Sequence, residues 1–138
     1  MARMVLSSAA VPASILILED DPVVGFAVED YLSHEGFTVT RTTTVQEAYR
    51  ALSGSRHDLL LADLRLGATD TLEGLDVAAA ALSSRRVDHA VVVTAFSTDG
   101  TVARAAVLGV AAVVNKPVPL PELAALITRL VAQRDPED

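Results

Sequence analysis

The sequence predicts an α/β domain in which a parallel β-sheet lies between two layers of helices, and three observations predict it. Short apolar runs alternate with stretches of helical periodicity through five rounds. Hydrophobic residues make up 51% of the 138 positions and aromatic ones only 4%. Charged and hydroxyl residues gather just after the apolar runs. Strict alternation implies strands joined by crossover helices, which makes neighbouring strands parallel. Few aromatics imply a core of Val, Leu, Ile and Ala packed between layers. In an open parallel sheet, ligands bind beyond the carboxyl ends of the strands, where these polar residues fall.

Taken in order, Ile15–Leu18 reads as a strand buried on both faces. Asp21 precedes Pro22 and suits a helix N-cap with proline at the first helical position. Val24, Val28, Tyr31 and Leu32 then form an apolar stripe that Gly36 closes. Phe37–Val39, flanked by threonines, alternates as an edge strand does. Thr44 with Glu47 makes a capping-box pattern ahead of Val45, Ala48, Tyr49 and Leu52, with Gly54 at the expected C-cap. Leu59–Ala62 is the third strand, and a polar loop, "GATDTLEG" at 67–74, leads to the stripe Leu75, Ala78 and Leu82. Ala90–Val93 is the fourth strand, followed by Val102, Ala105 and Ala106 and a stop at Gly109. Val110–Val114 is the fifth strand, and Leu120, Leu123, Ala124, Ile127, Leu130 and Val131 mark the last helix. Residues 14–133 therefore read as one domain, 1–13 as a flexible tail and 134–138 as a short C-terminal tail, with no output domain expected.

Eighteen acidic against 11 basic residues give a formal charge of −7, which repels nucleic-acid phosphates and anionic lipid headgroups. Direct nucleic-acid or membrane binding is disfavoured. With no cysteine, disulfides, thiol catalysis and Cys-ligated zinc are excluded. His34, His57 and His89 lack metal-ligand spacing. No stretch approaches the roughly 20 apolar residues that span a bilayer, so a soluble, cytoplasmic protein is expected.

The strand ends carry the chemistry. The first ends in Glu19 and Asp20, the third in Asp63, the fourth in Thr94 and the fifth in Lys116. Asp21 is accounted for as a cap, whereas Glu19, Asp20 and Asp63 would each resist ionising beside the others unless a cation neutralised them. A hard divalent ion taking oxygen ligands resolves the conflict, and magnesium is the natural candidate. Thr94 and Lys116 suit a tetrahedral anion on Asp63, with the metal and the ammonium sharing its oxygens and the hydroxyl donating to it. That is the arrangement phosphoryl transfer requires, with Asp63 as nucleophile and an aspartyl phosphate as product. A nucleotide site would instead need a Gly- or Ser/Thr-rich loop after the first strand, where this chain has "EDDPVV".

The blocks "LILEDDP", "LLLADLRL", "VVVTAF" and "NKP" resemble, in order, the signature of the response-regulator receiver domain of two-component signalling, over roughly residues 14–133. The resemblance implies a flavodoxin-like (CheY-like) doubly wound sheet of order 2-1-3-4-5. It implies phosphorylation of Asp63 by the phosphohistidine of a sensor histidine kinase or histidine phosphotransfer protein. Asp20 and Asp63 would bind magnesium through their carboxylates, Arg65 through its backbone carbonyl and Glu19 through water. Thr94 and Lys116 would bond phosphoryl oxygens, and the Lys116–Pro117 peptide would be cis.

Departures from the pattern also matter. Val113 stands where receivers usually carry an aromatic switch residue, and Gly67 where proline is common, ahead of a longer loop in which Asp70 and Glu73 are assigned no role. Arg65 and Phe96 occupy the positions that modulate dephosphorylation; neither is a good general base, and Phe96 is expected to shield the phosphoryl group. Arg65 also stands where an aspartate-nucleophile phosphatase would have its second acid. The expected function is a stand-alone receiver, not an enzyme beyond assisting its own phosphorylation and slow dephosphorylation, monomeric or weakly dimeric. It would signal by protein contact or phosphorelay to a target left open. The alternatives are a receiver-like scaffold or dimerisation module that is never phosphorylated, and the receiver fragment of a larger regulator.

Overall fold

The computed structural model describes residues 11–66 and 71–133. Strands and helices alternate as β1 (Ser14–Leu18), α1 (Pro22–His34), β2 (Thr38–Thr42), α2 (Val45–Gly54), β3 (His57–Asp63), α3 (Glu73–Ser83), β4 (Val87–Thr94), α4 (Asp99–Val107), β5 (Ala112–Asn115) and α5 (Leu120–Ala132). The strands form one parallel sheet in the order β2-β1-β3-β4-β5. The chain leaves β1 toward β2 on one side and reaches β3 on the other, so the topological switch lies between the carboxyl ends of β1 and β3.

Period-two alternation divides the apolar residues between the two faces. Leu16, Leu18, Leu60, Ala62, Ala90 and Val92 pack with Ala48 and Leu52 of α2, Leu75 and Ala78 of α3 and Ala105 of α4. Ile15, Ile17, Leu59, Leu61, Val91 and Val93 pack with Leu32 of α1 and Leu123, Ala124 and Ile127 of α5. Both faces are covered, which is why the central strands read as continuous apolar runs. Truncating a fully buried leucine such as Leu16 or Leu60 to alanine should cost about 2–5 kcal/mol.

Capping follows the local chemistry. The Asp21 carboxylate accepts the Val23 and Val24 amides at 2.9 and 3.4 Å, with Pro22 opening α1. Thr44 Oγ1 accepts the Glu47 amide at 3.1 Å. The Glu47 carboxylate reaches one residue further back than a standard capping box, to the Thr43 amide at 2.8 Å and the Thr43 hydroxyl at 3.0 Å. Those bonds hold its pKa below the usual carboxylate value. Gly36 (φ 100°) and Gly109 (φ 92°) turn the chain out of α1 and α4 in the left-handed region.

Several expectations need correction. Gly54 ends α2 without a left-handed turn, because Ser55 (φ −162°) leads extended into β3. The left-handed residue after α3 is Arg85, at φ 60°. The edge strand begins after Phe37, which instead packs against the cluster on the α1 and α5 face. Val24, Tyr49 and Val102 are 38%, 40% and 44% exposed and flank their helices' buried stripes. The loop before α3 ends at Leu72, because Glu73 and Gly74 already form the helix's first turn. Its residues 67–70, including Gly67 and Asp70, lie outside the described residues, as do residues 1–10 of the expected N-terminal tail and the whole C-terminal tail. Among the described residues no helix is long and apolar enough to cross a membrane.

Candidate functional site

The ends of β1, β3, β4 and β5 bring the expected residues to one edge. Glu19 leaves β1 with its amide bonded to the Thr42 carbonyl at 3.1 Å, and it is buried, 7% exposed. Its Oε2 accepts the Asp21 amide at 3.1 Å and its Oε1 accepts Lys116 Nζ at 3.0 Å. Asp63 is the last residue of β3, and its Oδ1 lies 3.5 Å from the same Lys116 Nζ. The Lys116 amide donates to the Thr94 carbonyl at 2.7 Å, which fixes the root of the lysine beside β4. The Lys116–Pro117 peptide is cis.

Carboxylate oxygens of Glu19, Asp20 and Asp63 lie within 4.8 Å of one another. Burial, then the Glu19 charge, raises the pKa of Asp63 to about 6 against the opposing pull of Lys116, with Asp20 adding to the rise. For Lys116, burial opposes the charged form, but the hydrogen bond to Glu19 and the charges of Asp63 and Glu19 outweigh it and raise its pKa. Glu19 and Asp63 thus share one ammonium, with Asp20 clustered beside them. The donor set is all hard oxygen, and the excess negative charge fits a divalent cation such as Mg²⁺.

Thr94 is buried, 3% exposed, and its hydroxyl is used twice. It donates to the Phe96 carbonyl at 3.1 Å and accepts the Phe96 amide at 3.2 Å. Phe96 is thereby joined to the site by its backbone, while the residue as a whole is 69% exposed. Ser97 Oγ donates to Asn115 Oδ1 at 2.9 Å, tying this loop to the end of β5. Val113 lies on β5 opposite Val92 and packs partly buried against the α2–α4 side of the core. Arg65 follows β3 by two residues and is exposed.

Sequence reasoning missed two glycines. A Cβ on Gly74 would lie 1.8 Å from the Asp63 carbonyl oxygen, so only glycine lets α3 pack this closely behind the acid. The Gly74 amide donates to the Leu64 carbonyl at 3.0 Å, binding helix to strand end. Its signal was a glycine inside a helix's first turn, where it lowers helix propensity with no local benefit. A Cβ on Gly25 would lie 3.1 Å from Arg41 Cδ and 3.7 Å from Glu19 Cγ. The Arg41 stem crosses α1 there to meet Glu29 at 2.8 Å.

A parallel sheet of this order, with an acid cluster, a threonine and a lysine at its carboxyl edge, defines the receiver class. The chain belongs to the response regulator receiver domain family, whose pattern it matches over residues 15–128. It is 31% identical over 128 residues to the transcriptional regulatory protein PdtaR of Mycobacterium tuberculosis, covering 92% of this chain and 60% of that protein. It is 34% identical over 116 residues to the transcriptional regulatory protein CrdR of Helicobacter pylori, covering 83% and 53% respectively. The chain thus spans little more than half the length of these relatives. The non-phosphorylated HemR receiver domain of Leptospira biflexa is similar in structure, with a TM-score of 0.80 at 27% identity over 90% of this chain and 98% of that one. A CheY-like receiver domain protein of Methanospirillum hungatei also has a TM-score of 0.80, at 23% identity over 88% and 95% of the two chains, and shares the fold.

Proposed function

We propose that the chain is a phosphoacceptor: Asp63 takes a phosphoryl group, in a magnesium-dependent reaction, from the phosphohistidine of a sensor histidine kinase or histidine phosphotransfer protein. The observation that carries this reading is the Asp63 carboxylate at the sheet's switch point, 3.5 Å from the Lys116 ammonium and clustered with Glu19 and Asp20. Asp20, Asp63, Glu19 and the Arg65 carbonyl would hold the ion, which when bound neutralises phosphoryl oxygens. An Asp63 carboxylate oxygen attacks phosphorus, the new O–P bond forms as the P–N bond to the donor histidine breaks, and the imidazole leaves with the electron pair. Lys116 turns from Glu19 toward a phosphoryl oxygen. Thr94 exchanges its bond to the Phe96 carbonyl for another, which couples phosphorylation to the Phe96–Thr98 loop. Val113, lacking a ring, leaves that loop as the main route of the conformational signal.

Dephosphorylation is slow, because neither Arg65 nor Phe96 supplies a base to activate water. The net charge of −7 supports signalling by protein contact or phosphorelay, rather than direct nucleic-acid or membrane binding, by a cytoplasmic monomer or weak homodimer. The test is a phosphotransfer panel: autophosphorylated histidine kinases and phosphotransfer proteins are offered to the parent and to Asp63→Asn, with magnesium chelated in parallel. Label should reach only the parent, and only with magnesium. Equal labelling of Asp63→Asn, or no labelling from any donor, would overturn the reading.

A further inference from the structure

A cleft of about 380 Å³ opens between α1 and the segment joining β5 to α5. Val24, Ala27 and Val28 form one wall and Val118, Leu120 and Leu123 the other. Its floor reaches the buried sheet residues Leu61 and Val93, so it is a deep notch between the helices. Polar side chains enter at one end alone, where Glu19, Asp63 and Lys116 stand. The shape and chemistry therefore suit a small molecule with an apolar body and an anionic head. The volume is at the small end of ligand sites, which run from about 300 to 1,000 Å³, and suits a chain of a few carbons.

Building on the reading of Asp63 as phosphoacceptor, we propose that this cleft receives the leaving group of a small-molecule phosphodonor, and that the chain prefers acyl phosphates with short apolar chains to acetyl phosphate. The head is matched by charge, since the phosphoryl dianion meets Lys116 and the cation the acid cluster would hold. The tail is matched by the aliphatic walls. An Asp63 oxygen bonds to phosphorus as the bond from phosphorus to the acyl oxygen breaks, and the carboxylate leaves with the electron pair. No proton or further reactant is needed. Acetate and butyrate are leaving groups of nearly equal basicity, so a difference between their phosphates reports binding of the chain and not intrinsic reactivity.

The experiment compares acetyl phosphate with butyryl phosphate at equal, sub-saturating concentrations in the presence of magnesium, following phosphorylated Asp63 by intact mass and peptide mapping. Butyryl phosphate should label about fourfold faster, allowing for half burial of two methylenes. The gain should appear as a lower half-saturating concentration with the maximal rate unchanged, as for binding shared by ground and transition states. Ala27→Phe, at an exposed position on the wall, fills the cleft; it should abolish the preference, so that the two donors label at equal rates. Equal rates for the two donors on the parent, as expected if the cleft serves only to seat a protein helix, would overturn the proposal while leaving Asp63 an acceptor. A preference that survives Ala27→Phe would overturn it too. Failure of both donors to label Asp63 would instead remove the reading on which the proposal rests.

Discussion

At the amino end of the sheet His57 is 5% exposed, with Nδ1 2.9 Å from Ser14 Oγ and Nε2 3.4 Å from Ser55 Oγ, and neighbouring Asp58 accepts the Ser14 amide at 2.7 Å. Burial holds the His57 pKa below its ordinary value and the ring neutral. At the carboxyl end Glu19, Asp20 and Asp63 cluster, the first and last of them beside Lys116, and burial with the Glu19 charge raises the Asp63 pKa to about 6. The same strands thus bury polar groups at both ends to different effect. At the amino end the partners come from the chain itself and the result is stability. At the carboxyl end acids outnumber the lysine beside them, an excess of negative charge that the proposed ion and phosphoryl group would answer.

Removing the lysine should separate the two ends most sharply. Lys116→Met deletes the ammonium that Glu19 and Asp63 share, and labelling of Asp63 by acetyl phosphate should fall by about a hundredfold or more. The metal-free protein should also lose about 1–2 kcal/mol in urea unfolding, a figure reduced from that of a fully buried pair because the lysine side chain is 28% exposed. Unchanged labelling would show that Lys116 does not act on the phosphoryl group.

Gly74→Ala comes next. The added methyl would meet the Asp63 carbonyl, a backbone atom that cannot move aside cheaply, so α3 must retreat. Stability should drop by about 1–3 kcal/mol and magnesium should bind more weakly, whereas Gly54→Ala, which meets nothing within 4 Å, should do neither. Urea titrations with and without the metal check both outcomes.

The smallest effect is on the pH dependence of stability, where the two ends should have opposite signs. The lowered pKa of His57 means the folded state binds fewer protons than the unfolded state. Its contribution is present above 6.5 and lost as pH falls. The raised pKa of Asp63 works the other way in metal-free protein. Its contribution is present below 3.8 and lost as pH rises through about 6. His57→Gln should therefore flatten the loss of stability on acidification, and Asp63→Asn should flatten the loss on raising pH from 4 toward 7. Urea midpoints across that range measure both, and slopes that change in the same direction would refute the contrast.

Much of this was legible in the sequence because it follows from short-range rules. Short continuous apolar runs marked Ile15–Leu18 and Leu59–Ala62, cap chemistry marked Asp21 and Thr44, and the geometry of open parallel sheets pointed to the strand ends where Glu19, Asp20, Asp63, Thr94 and Lys116 meet. What escaped depends on distant parts of the chain. That Gly74 is needed behind Asp63 follows only from how closely α3 approaches. The exposure of Val24, Tyr49 and Val102 depends on how far neighbouring elements cover each helix flank. The Thr94 hydroxyl spends both its bonds on the Phe96 backbone, which no side-chain pattern encodes. Arg85 takes a left-handed conformation at a helix end where sequence rules look for glycine.

The most direct test is a magnesium titration of the metal-free protein followed by its melting temperature. If Glu19, Asp20 and Asp63 gather a divalent ion, the melting temperature should climb with the logarithm of magnesium concentration once the site's dissociation constant is passed. Asp20→Asn and Asp63→Asn should suppress that climb. A parent protein indifferent to magnesium, or variants that respond as strongly as the parent, would contradict it.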